Sequence, residues 1–450
     1  MNDHILEALM SRYDITSRPQ AVSFRDLVSG VNGCDRATHL IHTYPAKLLA
    51  HIPKFFLQND VLSSPGDTVL DPFCGSGTVL LESLLAGRSA IGVDVNPLAC
   101  LISKVKTTPI DPARLRRALA AVIQRTETGG SSDDPDVINM DYWFTARVKR
   151  QLKKLKVAIN ASRNQDLRDF FLVCLSQCIR KVCLADPRFS VPVRLRHNKY
   201  PEGHTLRERY NRHLDNLERI KVNAVFEAIA EANIERMRQF VVDADLSNYS
   251  RAILGDIRHL CNGSLNAEDQ RQHHIERSSV DLVITSPPYP GAQKYIRASS
   301  LSLGWLELCD SATMPVLKDR VIGREETRAN GTKRLSKTGI AVADRFVSYV
   351  WNRNRTRAQI AATYVEEMKS AMSVVAHALK RGGSLVIIVG DGHFVGRRFP
   401  NHEITQAICE DAGLRTRLVL TDKIRSRALQ TKRHCTSRVM QKEWVMLFTK

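Results

Sequence analysis

Two short stretches carry residues whose types and spacing could do chemistry: "TVLDPFCGSGT" (68–78) and "DLVITSPPYPG" (281–291). In the second, Leu282, Val283, Ile284 and Thr285 read as a buried strand that runs into Ser286-Pro287-Pro288-Tyr289-Pro290-Gly291. The prolines end any sheet ladder, because proline has no N–H to donate and fixes φ. The strand therefore delivers one hydroxyl and one aromatic ring on a rigid loop. In the first stretch, a strand ends at Asp71 and turns through Gly75 and Gly77 into a helix. Ligands of open α/β sheets sit outside the carboxyl ends of strands. Glycines there remove Cβ atoms, and the helix start points its N–H groups at the ligand. Asp71 could accept hydrogen bonds from an ammonium. Asp94 ends the next strand, 19 residues after Gly75, where an acid can grip two ribose hydroxyls.

Two other ligand classes fit these residues less well. A P-loop needs G-x-x-x-x-G-K-[ST], and no lysine follows Gly77. A dinucleotide turn wants G-x-G-x-x-G, and G-S-G-T-V-L lacks the third glycine. An acid before the turn would also repel a pyrophosphate. A nucleoside that carries a positive amino acid fits better.

The elements that must position these residues follow from the spacing. Residues 1–60 read as mostly helical, with Leu48, Leu49, Ile52, Phe55 and Phe56 at helical spacing after Pro45. Short buried strands then alternate with helices: 68–71, the helix 79–87 stopped by Gly87, and the strand 89–96. This rhythm predicts a parallel sheet with helices on both faces. It is interrupted by "RLRRALAAVIQRTE", a linker at 128–136, and charge-rich helical sequence over 144–240. Strands resume at 251–257, 280–286 and 382–391, then a helix at 402–413 and two closing strands at 415–424 and 443–450. The chain divides into 1–110, N-terminal helices and the cofactor half; 111–248, a helical insertion; and 249–450, the catalytic half.

Among the 450 residues, 66 Lys and Arg against 47 Asp and Glu leave a net charge of +19, which points to a polyanionic partner such as nucleic acid. Residues 318–357 hold 11 cations and 4 acids, and 415–442 hold 9 and 1, so these two segments carry most of the excess. "REETRANGTKRLSKTG" reads as a polar loop placed to clamp a duplex, and "KIRSRALQTKRHCTSR" (423–438) as a loop along a phosphate backbone. The segment "RVKRQLKKLK" opens the insertion, and "WNRNRTR" (351–357) sets an aromatic among cations. Ten cysteines lack zinc-site spacing and read as free thiols, with no metal site. No apolar run approaches membrane-spanning length and no apolar leader opens the chain, so a cytoplasmic location is expected.

Together these stretches resemble the S-adenosylmethionine-dependent DNA amino-methyltransferases. "DPFCGSGT" is similar to their first motif, "GVDVNP" to the second, "GDIRHL" to the third and "TSPPY" to the fourth; "HTYPAK" resembles the segment before the first. The resemblance covers roughly 38–108 and 250–300, and more loosely 370–450. It implies a Rossmann-like class I methyltransferase fold, an α/β architecture whose mostly parallel seven-stranded sheet ends in an antiparallel hairpin. It also implies S-adenosyl-L-methionine as cofactor. By this likeness Asp71 and the loop Phe73, Cys74, Gly75, Ser76, Gly77 and Thr78 hold the methionine part, Asp94 the ribose and Asp256 the adenine edge, with Tyr44 on the cofactor side. The interruption between the second and third motifs departs from the simplest arrangement, and the insertion is a candidate for target recognition.

An exocyclic amino group on cytosine or adenine is a weak nucleophile, since its lone pair is delocalised into the ring. Acceptors aimed at its two hydrogens favour pyramidalisation and carry off the developing positive charge. Ser286 Oγ and the Pro287 carbonyl are suitable acceptors, Pro287 and Pro288 hold the loop rigid, and Tyr289 offers a face to a base rotated out of the duplex. Methylation at cytosine carbon 5 needs a Pro-Cys nucleophile in its family, and no Pro-Cys occurs in the chain. Serine before P-P-Y favours cytosine-N4 over adenine-N6. The leading expectation is a site-specific methyltransferase on double-stranded DNA, in restriction-modification or phage defence with a cognate restriction or defence protein. An RNA amino-methyltransferase and a non-catalytic nucleic-acid-binding module are the alternatives.

Overall fold

Runs of β-branched and aliphatic residues, separated by amphipathic helices, build one eight-stranded sheet with helices on both faces. The computed structural model describes residues 2–28, 36–45, 47–130, 133–245, 247–260, 274–290, 295–324, 335, 337–424 and 440–450. The strands are β1 (Gln20–Val22), β2 (Thr68–Asp71), β3 (Ser89–Asp94), β4 (Ser250–Leu254), β5 (Val280–Thr285), β6 (Leu379–Val389), β9 (Arg415–Lys423) and β10 (Lys442–Thr449). The short strands β7 (Gly392–Phe394) and β8 (Arg397–Phe399) form a separate hairpin.

The order across the main sheet is β4-β3-β2-β5-β6-β10-β9-β1. Strands β2 to β6 pair in parallel, and β10 runs antiparallel to both β6 and β9. From β2 the chain winds outward through β3 to β4, then returns to lay β5 and β6 on the opposite side. The winding reverses between β2 and β5, the position where open α/β sheets form a ligand crevice. Val69 and Leu70 of β2 sit beside Leu282 and Val283 of β5, so the two chemistry-bearing strands are direct neighbours.

This is the expected mixed α/β class with its final antiparallel strand. It differs at the N-terminus. Among the described residues of 1–60, the helices Asn2–Thr16, Phe24–Leu27 and His51–Leu57 are joined by an unexpected strand: β1 pairs in parallel with β9 as an eighth strand. The helix carrying Ile52, Phe55 and Phe56 covers only His51–Leu57 and leaves Leu48 and Leu49 outside. Pro53 sits in its first turn, and a longer helix would put that proline in the interior, where its ring meets a carbonyl.

The insertion between β3 and β4 folds as the helices Pro112–Thr128, Ala146–Asn160, Gln165–Val182, Thr205–Arg219 and Val222–Asp243. Its core is continuous with both halves: Phe170, Phe171 and Phe226 share a cluster with Leu98 and Ile102 after β3, and with Leu301 and Trp305 after β5. The described residues between 310 and 360 include two helices, Met314–Arg320 and Ala341–Trp351. The helix Ala341–Trp351 buries Ala343, Phe346, Val347 and Val350 against the sheet layer. Most of the two expected loops, residues 325–334 and 336 of "REETRANGTKRLSKTG" and 425–438 of the loop at 423–438, lies outside the described residues.

Candidate active site

Strand β2 delivers Asp71, 4% exposed, to the carboxyl edge of the sheet. The chain then turns through residues 72–77 into the helix Thr78–Leu85. Gly75 and Gly77 both take left-handed backbone angles, φ +48° and +72°. A Cβ on Gly77 would lie 2.8 Å from Ser103 Oγ and 3.0 Å from Ser103 Cα, so glycine lets the loop settle on the helix Pro97–Thr107. That packing is fixed by Ser103 Oγ, which donates to the Gly75 carbonyl at 2.9 Å. Cys74 N–H donates to the Val93 carbonyl of β3 at 2.9 Å.

Asp94 ends β3 and closes the same loop. Its Oδ2 accepts the Gly75 N–H at 2.9 Å and its Oδ1 the Asn96 N–H at 2.8 Å. Burial pushes its pKa up to about 6, against the pull of those two N–H bonds. Each oxygen keeps acceptor capacity beyond one N–H. Asp71 Oδ1 accepts from Thr285 Oγ1 at 2.7 Å and from the Phe73 N–H at 3.1 Å. Burial pushes Asp71 up to about 7; the two hydrogen bonds restrain the shift and the nearby Asp94 charge adds to it.

Strand β5 brings Ser286 out beside these carboxylates. Ser286, Pro288, Asp71, Phe73, Cys74, Gly75, Ser76, Thr78, Asp94, Asp256 and Tyr44 line one cleft. Three expected residues do not line it. Gly77 lies behind the loop, against Ser103. Pro287 is buried. Tyr289 is half-buried and points its hydroxyl at Glu443 Oε1 on β10, 3.5 Å away.

Asp256 lines the cleft within an ion-pair network. Its carboxylate accepts from Arg258 Nε at 2.8 and 3.0 Å, and it caps the short turn Ile257–His259 through the Arg258 N–H. Arg258 also pairs with Glu367 at 3.0 Å and donates to the Arg320 carbonyl at 2.9 Å. Arg320 in turn opens the segment 320–322 that lines the cleft. Gly323 follows, where a Cβ would meet the Tyr289 carbonyl at 2.7 Å, so this segment lies directly on the S-P-P-Y loop.

Several lining residues had no role assigned from the sequence, though some sit inside the motifs. Asn96 donates to Tyr44 Oη at 3.0 Å and to Ser299 Oγ at 3.2 Å, while its Oδ1 caps the helix Pro97–Thr107. An Asn followed by Pro at the first helical position is a readable cap signature. Thr285 was legible as the last strand residue and the first of "TSPPY", but not as a partner of Asp71. Lys47 closes the segment "HTYPAK", whereas Tyr295 and Ile322 reach the cleft from separate segments with no sequence signal. Among the described residues, no group of three or more His, Cys, Asp or Glu side chains is placed to hold a metal ion, and no helix is long and apolar enough to cross a membrane.

This arrangement brings the Gly-rich turn after β2 and the S-P-P-Y loop after β5 to one cleft. Residues 22–105 match a family model described as DNA methylase. The match spans β1 to β3 and so holds Tyr44, the Gly-rich loop and Asp94. The chain is also 30% identical over 290 residues to the Type II methyltransferase M.MvaI of Kocuria varians, covering 60% of this chain and 58% of that one. It is 30% identical over 161 residues to the Type II methyltransferase M.MjaII of Methanocaldococcus jannaschii, covering 34% of this chain and 30% of the other. The chain thus spans less than two thirds of either relative. An rRNA methyltransferase, aviRa of Streptomyces viridochromogenes, aligns over 95% of this chain and 96% of its own at 12% identity, with a TM-score of only 0.32. The DNA methylase match and the two Type II relatives support an amino-methyltransferase family.

Proposed function

We propose that this protein transfers a methyl group from S-adenosyl-L-methionine to the exocyclic amino group of a base extruded from double-stranded DNA. When bound, the cofactor supplies a methyl on a positive sulfur. The cleft's donor set fits it: Asp71 for the ammonium, the Gly75 turn for close backbone approach, and Asp94 for the ribose hydroxyls. Asp256 would face the adenine edge, held in place by Arg258.

The observation that carries this reading is the hydrogen bond from Thr285 to Asp71. It fixes the end of the cofactor strand to the end of the strand that leads into Ser286. Ser286 Oγ and the Pro287 carbonyl then accept the two hydrogens of the target amino group, which localises its lone pair. The amino nitrogen would take the methyl as its bond to the positive sulfur breaks and leaves a neutral thioether, and the surplus proton on nitrogen would then pass to solvent; preorganised acceptors of this kind are worth several kcal/mol. Tyr289 gives the extruded base a ring to stack on.

Serine ahead of P-P-Y favours cytosine-N4 as the target, with adenine-N6 second. The likeness to two proteins named Type II methyltransferases supports a place in restriction-modification or phage defence. The insertion 111–248 is the proposed target-recognition element. Incubation with methyl-labelled cofactor and either duplex plasmid DNA, transfer RNA or ribosomal RNA tests the proposal. Label in the duplex alone is expected. Label in RNA alone, or tight duplex binding with no transfer, would overturn it.

A further inference from the structure

The hairpin β7–β8 belongs to no motif in the sequence, yet it leaves the sheet at the edge where the candidate site lies. Thr285 of β5 pairs with Ile387 of β6, and β6 ends two residues later at Val389 beside Trp444. The hairpin therefore emerges on the strand next to the S-P-P-Y loop. Its frame is rigid. Phe394 and Phe399 are buried and their rings lie 6.1 and 5.0 Å from Phe346, with Tyr364 6.0 Å from Phe399. At its base Asp391 accepts from Arg398 Nε at 2.8 Å, Trp444 Nε1 at 3.2 Å and His402 Nδ1 at 2.9 Å.

The exposed part of the hairpin has two features that its fold does not require. Arg397 places its guanidinium 4.1 Å from the centre of the Tyr349 ring, and Arg353 places another 3.8 Å from the same ring. Both arginines are exposed, and neither pairs with a carboxylate among the described residues. Two like charges converge on one ring, next to Arg355 and Arg357, with no acid in 352–357. A bound polyanion would relieve that repulsion. The second feature is the tip. Val395 and Gly396 have φ of +49° and +76°, the pattern of a two-residue hairpin turn that favours Asn-Gly. A β-branched residue at positive φ is strained, and this one is an exposed apolar side chain. Strain kept at a solvent-facing tip points to function.

We propose that the β7–β8 hairpin and the Arg353–Tyr349–Arg397 stack form a duplex-contacting surface. The two guanidinium groups bridge phosphates of the strand that carries the target base, and Val395 presses an apolar tip into the groove. This surface rests on the DNA reading above and gives it a location that joins "WNRNRTR" of the basic segment 318–357 to the β7–β8 hairpin.

The test is binding of the full chain to a fluorescein-labelled mixed-sequence duplex over a salt series, with cofactor binding measured by calorimetry in parallel. The double variant Arg353→Ala/Arg397→Ala is expected to bind about tenfold more weakly near ~0.1 M salt, with a log–log salt slope shallower by about two. Its cofactor affinity should match the parent. Val395→Asn relaxes the turn and should raise Tm, yet is expected to lower methyl transfer to plasmid DNA several-fold. If the parent binds no duplex at any salt, the DNA reading and this surface both fall. If the parent binds and methylates while the double variant keeps its affinity and slope, or Val395→Asn keeps its transfer rate, the surface assignment is overturned and the DNA reading stands.

Discussion

Thr285 Oγ1 donates to Asp71 Oδ1 at 2.7 Å, joining the ends of β5 and β2 across 214 positions of sequence. The bond holds one oxygen of a buried carboxylate and registers the S-P-P-Y loop against the cofactor loop. Thr285→Val keeps the shape and removes the donor. It should raise the Asp71 pKa further and weaken S-adenosylmethionine binding by about three- to tenfold, read by calorimetry at neutral pH.

The pH dependence of binding follows from the same carboxylate. Burial lifts Asp71 from its ordinary 3.8 to about 7. An ammonium needs the ionised form, so below that pH binding must expel a proton. Affinity is expected to climb from about pH 5.5 to about 7.5 and then level off. Ligand-free stability runs the other way. The folded state holds a proton that the unfolded chain has lost, so this group's contribution falls as pH rises from about 4 to about 7. Asp71→Asn should weaken binding and flatten its pH profile; Asp94, lifted to about 6, would account for any slope left at the acid end.

Catalysis and cofactor binding should separate at the S-P-P-Y loop. Ser286→Ala is expected to lower turnover roughly a hundredfold, with cofactor affinity within about twofold of the parent. Tyr289→Ala should cost roughly ten- to a hundredfold through lost stacking. Tyr289→Phe keeps the ring and gives up the hydroxyl's contacts with Glu443, 3.5 Å away, and with Ser286, so it should stay within about tenfold. Normal turnover by Tyr289→Ala would show that the ring does not hold the base.

The two loop glycines answer differently to alanine. At Gly77 a Cβ meets Ser103 at 2.8–3.0 Å in a left-handed backbone, and Gly77→Ala should cost about 2–4 kcal/mol in denaturant unfolding. At Gly75 the nearest atom is the Tyr44 ring at 3.6 Å, so Gly75→Ala should cost only about 1 kcal/mol. Its Cβ points toward the cleft-lining Tyr44, and its main effect should be on cofactor affinity.

A buried pair anchors the segment that carries Tyr44. His39 Nε2 lies 2.6 Å from Glu82 Oε1, both almost fully buried, and Arg36 also contacts that carboxylate. Burial pushes His39 down to about 4, so a neutral imidazole donates to an ionised Glu82. Glu82→Ala strands these partners and should cost about 3–5 kcal/mol of stability by chemical denaturation.

What was legible in the sequence was local. Asp71, the two glycines and the helix start lie within eleven consecutive residues, and a strand-turn-helix of this kind can be read without its surroundings. The alternation of apolar runs and helices likewise announced the parallel sheet. What was not legible was pairing at a distance. β1 has only three residues and finds its partner some 400 positions later, and the Thr285–Asp71 bond needs both strands in place. The β7–β8 hairpin escaped notice because Val-Gly is not a usual turn dipeptide. Ile322 and Tyr295 reach the cleft only after the chain has folded over the S-P-P-Y loop.

Mass spectrometry of nucleosides from DNA co-expressed with the protein tests the central claim most directly. The account predicts N4-methylcytosine in that DNA, absent when Ser286→Ala replaces the parent. DNA without any methylated base amino group, from cells that hold the folded protein, would contradict it.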